Sequence, residues 1–462
     1  MNHSQELGRL PIPQLLFKQA LPAAIGILTL SIYNIVDTIF VGQYIGSVGI
    51  SAITVVMPIT FLIASLGMAV GVGGGSIISR ALGGDNLARA NKTFGNQAGL
   101  TLVFCSVFMF VGIFLEEPIL KLFGATEKVM PYAQTYFRIL IAGVPFLGWA
   151  MMSNNIIRAE GNPKVAMFIM IVAAIINTVL DPIFIIVLEM GIAGAAWATL
   201  LSYIFAAAYT VHYFFSGKSD LTLYVDNLWL DMEIVGEIFS IGFVSFARQG
   251  SISVLAIVMN NSLVFYGGDM ALSVYGIINR MMMFINFPIF GVVQGFLPIA
   301  GFNYGAKQWA RVRQVIYTAI QYGTLLAFCI FGLIYFFAEP ISAIFTTEAE
   351  VIKQTAPAMV VVFWAMPLIT IQMIGASYYQ AIGKGIPALL LTLTKQLFCL
   401  VPLVLLLPMY MGLDGIWYAF PVADVLSTLI TFIFLQRALG DLQSRALKDK
   451  ELSPAIEETI DA

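Results

Sequence analysis

Glu117-Pro-Ile-Leu-Lys-Leu-Phe123 returns about 222 residues later as Glu339-Pro-Ile-Ser-Ala-Ile-Phe345. At the same offset Pro145 meets Pro367, Gly83 and Arg89 meet Gly305 and Arg311, and Gly161 meets Gly383. Gly191-Ile-Ala-Gly194 then meets Gly412-Leu-Asp-Gly415. One such match is chance; an ordered series is an internal duplication. Each copy holds six long apolar runs. An even number of spans starts both copies on the same side of a membrane, so the repeats are parallel and related by an axis along the membrane normal.

Composition makes those runs membrane spans. The chain has 462 residues, 59% of them hydrophobic and 11% charged. A soluble domain has about 45–50% and 25%, and so few charges cannot cover a water-facing surface. Mean hydropathy is +0.89. Apolar runs between polar punctuation predict helices near 15–43, 51–81, 94–115, 132–158, 164–188, 192–216, 234–265, 271–302, 316–338, 355–381, 387–410 and 415–437. The expected fold is an all-α polytopic membrane protein of twelve transmembrane helices. Residues 1–216 form an amino-terminal lobe, 217–233 a cytoplasmic linker, 234–440 a carboxy-terminal lobe and 441–462 a cytoplasmic tail. The first apolar stretch runs too long for a cleaved secretory signal, and no small-residue cleavage site follows it, so the first helix is expected to be retained. Sixteen Lys and Arg fall in connections on the amino-terminal side, against Lys121, Lys128 and Lys353 opposite. That bias predicts a multi-pass cell-membrane protein with both termini in the cytoplasm.

Several function classes drop out. A net charge of −3 with scattered cations offers no basic face for nucleic acid. His3, His212, Cys105, Cys329 and Cys399 lack metal-ligand spacing, and each cysteine sits in an apolar run as a packing thiol. Gly71-Val-Gly-Gly-Gly-Ser76 lacks the lysine and preceding strand of a phosphate loop and reads as close helix packing. Duplicated bundles of this kind suit alternating-access transport; without a nucleotide-binding domain such a transporter must draw on an ion gradient, and no cofactor is expected beyond a coupling Na+ or H+.

An ionisable group at membrane depth is costly and normally marks function. Asp37 lies about 9 Å below the outer end of helix one, Asp181 about 10 Å below that of helix five, and Thr199 about 10 Å into helix six. Asn177 stands one turn from Asp181 on the same face. Two carboxylates, an amide and a hydroxyl form an all-oxygen set able to hold a sodium ion or to share a proton. Alternatively Asp37 caps a break in helix one and Asp181 serves the backbone freed by Pro182. The second copy has Met259 or Val258 opposite Asp37 and apolar residues around Val401–Leu403 opposite Asp181, so neither acid belongs to the common scaffold. Arg248 and Arg280 either line a cavity, repel cations or pair with helix ends. Lys395 either snorkels or reaches Asp424, while Arg158 and Glu160 read as anchors at the end of helix four.

Tyr33-Asn-Ile-Val-Asp37, Arg158-Ala-Glu-Gly-Asn-Pro163, Asn177-Thr-Val-Leu-Asp181-Pro182 and Pro298-Ile-Ala-Gly-Phe-Asn303-Tyr-Gly-Ala306 resemble the multidrug and toxic compound extrusion (MATE) transporters. The resemblance covers roughly residues 10–440. Asn260 and Asn261 stand in helix seven, where the NorM branch carries an acid, so the chain looks like the DinF branch with its MepA-like exporters. The resemblance implies a V of two six-helix lobes, probed by alternating access, that exports mostly cationic amphiphiles in exchange for H+ or Na+. It implies a cation site at Asp37, Asn177, Asp181 and Thr199, and cavity positions at Tyr33, Asn154 and Asn155; Asn34 and Arg280 are further candidates for the cavity wall. It also implies a helix-one bend at Pro22, whose counterpart is Val244. Expected partners are amphiphilic small molecules and the lipid bilayer, with the protein a monomer. The rival is a flippase for lipids or lipid-linked oligosaccharides, which needs a cationic cavity. An intramembrane enzyme lacks a nucleophile–base or metal cluster, and a channel lacks repeated polar rings.

Overall fold

The computed structural model describes residues 3–460, apart from the side chains of residue 34 and of residues 450 onward, and no strand occurs among the described residues. In the first copy the helices are α1 (His3–Arg9), α2 (Ile12–Tyr44), α3 (Ser47–Gly83), α4 (Leu87–Phe114) and α5 (Glu116–Leu122). They continue with α6 (Met130–Ala142), α7 (Val144–Ala159), α8 (Pro163–Pro182) and α9 (Ile192–Phe215). The second copy has α10 (Met232–Gly305), α11 (Trp309–Phe345), α12 (Ala349–Phe363), α13 (Met366–Ala381) and α14 (Gly385–Leu393). It ends with α15 (Val401–Leu406), α16 (Pro408–Met411) and α17 (Leu413–Ile460).

Among the described residues nine helices are long and apolar enough to cross a membrane, and the bent pairs α6–α7 and α12–α13 bring the number to eleven. Helix α10 is two helices joined at Gly268, the one residue within it that leaves helical geometry, so the spans number twelve. The connection expected at 266–270 is thus contracted to a single glycine at φ 61°, a value that L residues with a Cβ seldom adopt. The amphipathic α5, with Leu120 buried and Lys121 paired to Glu117, has no counterpart in the expected spans. Helix α17 continues through residues 441–460 without a break.

The duplication is written into the backbone. Positive φ recurs at Gly46 and Gly268, Asp85 and Lys307, Gly161 and Gly383, and Gly191 and Gly412. Helices α6 and α7 meet at 54°, α12 and α13 at 45°. Pro145 and Pro367 occupy the first turn after each bend, where a missing N–H costs nothing. A π-helical turn follows Pro182 at Ile183–Val187, and another spans Thr394–Leu400. The cores match as well: Val41 and Leu263, Val56 and Ile278, Ile63 and Ile285, Phe137 and Met359, and Val144 and Met366 are all buried.

Two compact units result, and neither begins at the linker. One holds the chain up to Glu6 together with Ile25–Ser245; the other holds Leu7–Ala24 and everything from Phe246 on. Helix α2 therefore contributes to both, dividing two residues beyond Pro22, although its backbone stays helical from Ile12 to Tyr44. In the first unit the glycine run of α3 lies against α7. A Cβ on Gly71 would sit 3.0 Å from the Met152 Cα, closer than backbone normally allows. Gln97 of α4 donates to the Val70 carbonyl at 2.7 Å beside it. The run serves packing.

The turn between α7 and α8 closes on the linker. Glu160, 1% exposed, accepts from the Ser219 hydroxyl at 2.7 Å and the Asp220 N–H at 3.1 Å, and Ser4 donates to Asp220 at 2.5 Å. Burial, above all, pushes the Glu160 carboxyl up to about 7 from its ordinary 4.5, with Asp220 adding repulsion against the hydrogen bonds from Ser219 and Tyr213. Since the folded value lies above the unfolded one, this group stabilises the fold fully below about pH 4.5, and the contribution is lost as pH rises through about 7. Glu160→Gln keeps the acceptor without the charge. Thermal unfolding of the purified protein between pH 5 and 8 should show the parent losing stability relative to the variant, by up to about 3 kcal/mol. Parallel profiles for the two proteins would show that the carboxyl does not titrate in this window.

Candidate functional site

The site grows from three helices of the first unit. Pro182 cannot donate a backbone hydrogen bond, and the widened π turn after it ends the regular part of α8. Asp181 stands on the last regular turn before that break, fully buried, and Asn177 lies one turn earlier at 1% exposure. Asp37 of α2 and Thr199 of α9 are buried beside them. The Asn177 amide donates to the Thr199 hydroxyl at 3.3 Å. Asp37 and Asp181 lie close enough for their carboxyls to interact directly.

That contact has a chemical condition. Ionised carboxylates accept and never donate, so two of them approach only when a proton or cation lies between them. Oδ1 of Asp37, Oδ1 of Asn177 and both oxygens of Asp181 are buried without a hydrogen bond from the described residues. Among the described residues no group of three or more His, Cys, Asp or Glu is placed to hold a metal ion. The open acceptors suit a proton or a hard cation, whose preferred partners are carboxylate, amide and hydroxyl oxygens.

Beside this set lies a cavity of about 200 Å³ enclosed by α2, α3, α6, α7, α8 and α9. Tyr33, Asp37, Asn154 and Thr199 reach it, while Asp181 and Asn177 sit behind that wall. The remaining lining is mostly apolar, including Met57, Phe61, Met151 and Met170. Asp37 is the one charged residue on it. Flexible methionines and aromatic faces let such a wall fit ligands of different shapes.

The other expected positions separate. Asn154 is held from two sides, donating to the Ala166 carbonyl at 3.0 Å and accepting from the Arg158 Nε at 3.0 Å. Asn155 turns back to the Met151 carbonyl of its own helix and does not line this cavity. Pro22 and Arg280 belong to the second unit, Arg280 with an exposed side chain. The side chain of Asn34 lies outside the described residues. Two residues join the site that the sequence did not single out. Tyr136 lies next to Thr199 and close to Asp37 and Asp181, and Tyr203 lies close to Tyr33, Tyr136 and Asp37. A tyrosine in an apolar run carries no signal as strong as a buried acid, and only the 3D neighbourhood marks it.

Comparison with known proteins agrees with this architecture. The sequence profile of the MatE family matches twice, over residues 22–183 and again over 243–406. The multidrug export protein MepA of Staphylococcus saprophyticus is 26% identical over 418 residues, covering 90% of this chain and 92% of the relative. MepA of Staphylococcus aureus strain MSSA476 is 25% identical over 428 residues, 92% of this chain and 94% of its own. Among solved structures, a multidrug resistance MATE family transporter in its outward-facing conformation superposes with a TM-score of 0.88 over 95% of this chain and 98% of its own, at 24% identity. A MATE protein crystallised in a bent conformation gives 0.90 over 96% and 99%, again at 24% identity. Two copies of the family's repeat fill most of the sequence, and the chain belongs to the MatE family of multi-pass membrane transporters.

Proposed function

We propose that the protein is a secondary active exporter that exchanges H+ or Na+ for amphiphilic, mostly cationic compounds by alternating access. One observation carries the reading: the buried Asp37–Asp181 contact, open to a cation or proton, on an otherwise uncharged and adaptable cavity. A cationic amphiphile entering the cavity competes with the coupling ion for the same negative charge, so loading one favours release of the other. That competition is the coupling. The acids are absent from the second copy, where Met259 is buried core, so one ion site per chain is expected. The multidrug export proteins among the relatives agree with this substrate class. The remaining parts of the reading are a monomer in the cell membrane with both termini in the cytoplasm. Residues around Pro22 would form the hinge, next to the point where α2 passes from one compact unit to the other.

Proteoliposomes loaded with a lipophilic cationic dye test it, with a pH or sodium gradient imposed alone. One of the two gradients should drive dye movement, and Asp37→Asn or Asp181→Asn should each reduce it by about tenfold or more, the equivalent of about 1.4 kcal/mol or more. Gradient-driven movement at the parent rate in both variants would remove the acids from the mechanism. Tyr136→Phe removes the hydroxyl that meets Thr199 while keeping the ring. A hydrogen bond of about 1 kcal/mol corresponds to roughly a fivefold weakening. The variant should therefore need roughly fivefold more coupling ion for half-maximal transport, with little change in the maximal rate. An unchanged ion dependence would make Tyr136 a packing residue only.

A further inference from the structure

The second unit contains a cavity of about 170 Å³, lined by residues of α10, α13, α14 and the π turn after it. It is the first unit's cavity repeated. At the offset of the duplication Ile369, Gln372, Met373 and Ala376 stand where Leu147, Ala150, Met151 and Asn154 line the first, and Thr392, Lys395 and Gln396 stand where Met170, Ala173 and Ala174 do. The backbone pocket is kept and its chemistry is inverted. The first cavity carries an acid and no base; this one carries Arg248 and Lys395 and no acid, and three small or apolar wall positions have become Gln372, Lys395 and Gln396.

The two cations are not equivalent. Lys395 is answered from behind by Asp424, at 2.6 Å, with Asp424 almost fully buried. Arg248 makes no ion pair among the described residues, and it cannot shed its charge as a buried lysine can. It sits 16 residues along α10 from Met232, about 24 Å at 1.5 Å per residue, which is membrane depth. Two of the polar wall groups are already engaged: Gln396 is hydrogen-bonded to Ser251, and the Gln372 amide donates to the Leu391 carbonyl at 3.0 Å, while Asn286, Ser377 and Thr392 also line the wall. A guanidinium that lines a cavity at that depth calls for an anionic partner. Ile252, Phe290, Ile369 and Met373 supply apolar walls around it. We infer that this second cavity binds the carboxylate, or an equivalent single anionic group, of an amphiphile through Arg248, with the apolar part of the ligand against those walls. The proposal widens the substrate class of the export reading to acidic and zwitterionic compounds. It does not depend on ion coupling at Asp37 and Asp181.

The test is binding without any gradient, so its outcome is independent of whether export is coupled as proposed. The full chain is placed in phosphatidylcholine nanodiscs and titrated with 11-(dansylamino)undecanoic acid and with its primary amide, empty nanodiscs setting the background. The dansyl group reports entry into an apolar site. A charge-assisted bidentate contact predicts that the acid binds about tenfold tighter than the amide. Arg248→Gln should bring the ratio to about one while leaving the amide's affinity as it was, and Arg248→Lys should restore part of the preference. Equal affinities in the parent would overturn the proposal without any variant, and so would a preference that survives Arg248→Gln. Repeating the titration with phosphatidylglycerol in the disc separates two sources of the anion. Loss of the acid's advantage there assigns the site to a lipid headgroup, and an unchanged advantage assigns it to a soluble acid.

Discussion

A bilayer cannot solvate an isolated ion, and the rest of this structure depends on that constraint. With only 11% charged residues, the chain keeps most charges in its connections, where Arg80 and Arg89 share Glu237 and Lys92 meets Asp231. Those pairs fasten the end of the linker and the start of α10 to α3 and α4. What remains at depth must find its counter-charge from the protein, from an ion, or from a ligand. Lys395 finds Asp424. Asp37 and Asp181 face each other, and two like groups do not balance each other's charge. Function in such a protein sits where the electrostatic account is left open.

The scaffold itself is nearly indifferent to those charges. Matching core positions, matching left-handed residues and matching proline bends show two copies held by the same packing. Against that shared backbone, divergence is concentrated on the cavity walls. Asn177 and Thr199 of the first copy fall opposite Cys399 and the region of Phe420, both buried and apolar in the second. Substituting wall residues while preserving the helix contacts is an inexpensive route to a new binding chemistry, because the packing energy resides elsewhere.

Much of this was legible in the sequence. Long apolar runs dictated the spans because backbone groups in lipid must bond within a helix, and the glycines and prolines that punctuate them mark the same bends and turns in the structure. Asp37, Asp181 and Thr199 were visible as polar residues at one depth, with Asn177 one turn deeper on the face of Asp181, because helical spacing alone sets those depths. Other features carry no periodic signal. The one-residue junction at Gly268 looked like a short loop because Gly267-Gly-Asp269 has loop composition. Helix α5 was too short and too amphipathic to stand out. Adjacent Asn154 and Asn155 could not be told apart without knowing which face of α7 meets the cavity, and Tyr136 and Tyr203 owe their place to tertiary neighbours alone. Arg248 was conspicuous as a charge, but its role depends on the cavity around it, which sequence spacing does not reveal.

The junction at Gly268 bears on how the protein is made. Two spans separated by a single residue leave no polar segment to carry across the membrane between them. Helix α10 must therefore enter the bilayer as a helical hairpin, its second arm inserting together with the first rather than waiting to be threaded separately. Asp269 beside the glycine, and not a loop, then stands at the tip of that hairpin. A protein whose two halves share one architecture thus commits the middle of its chain to the membrane in a single concerted insertion.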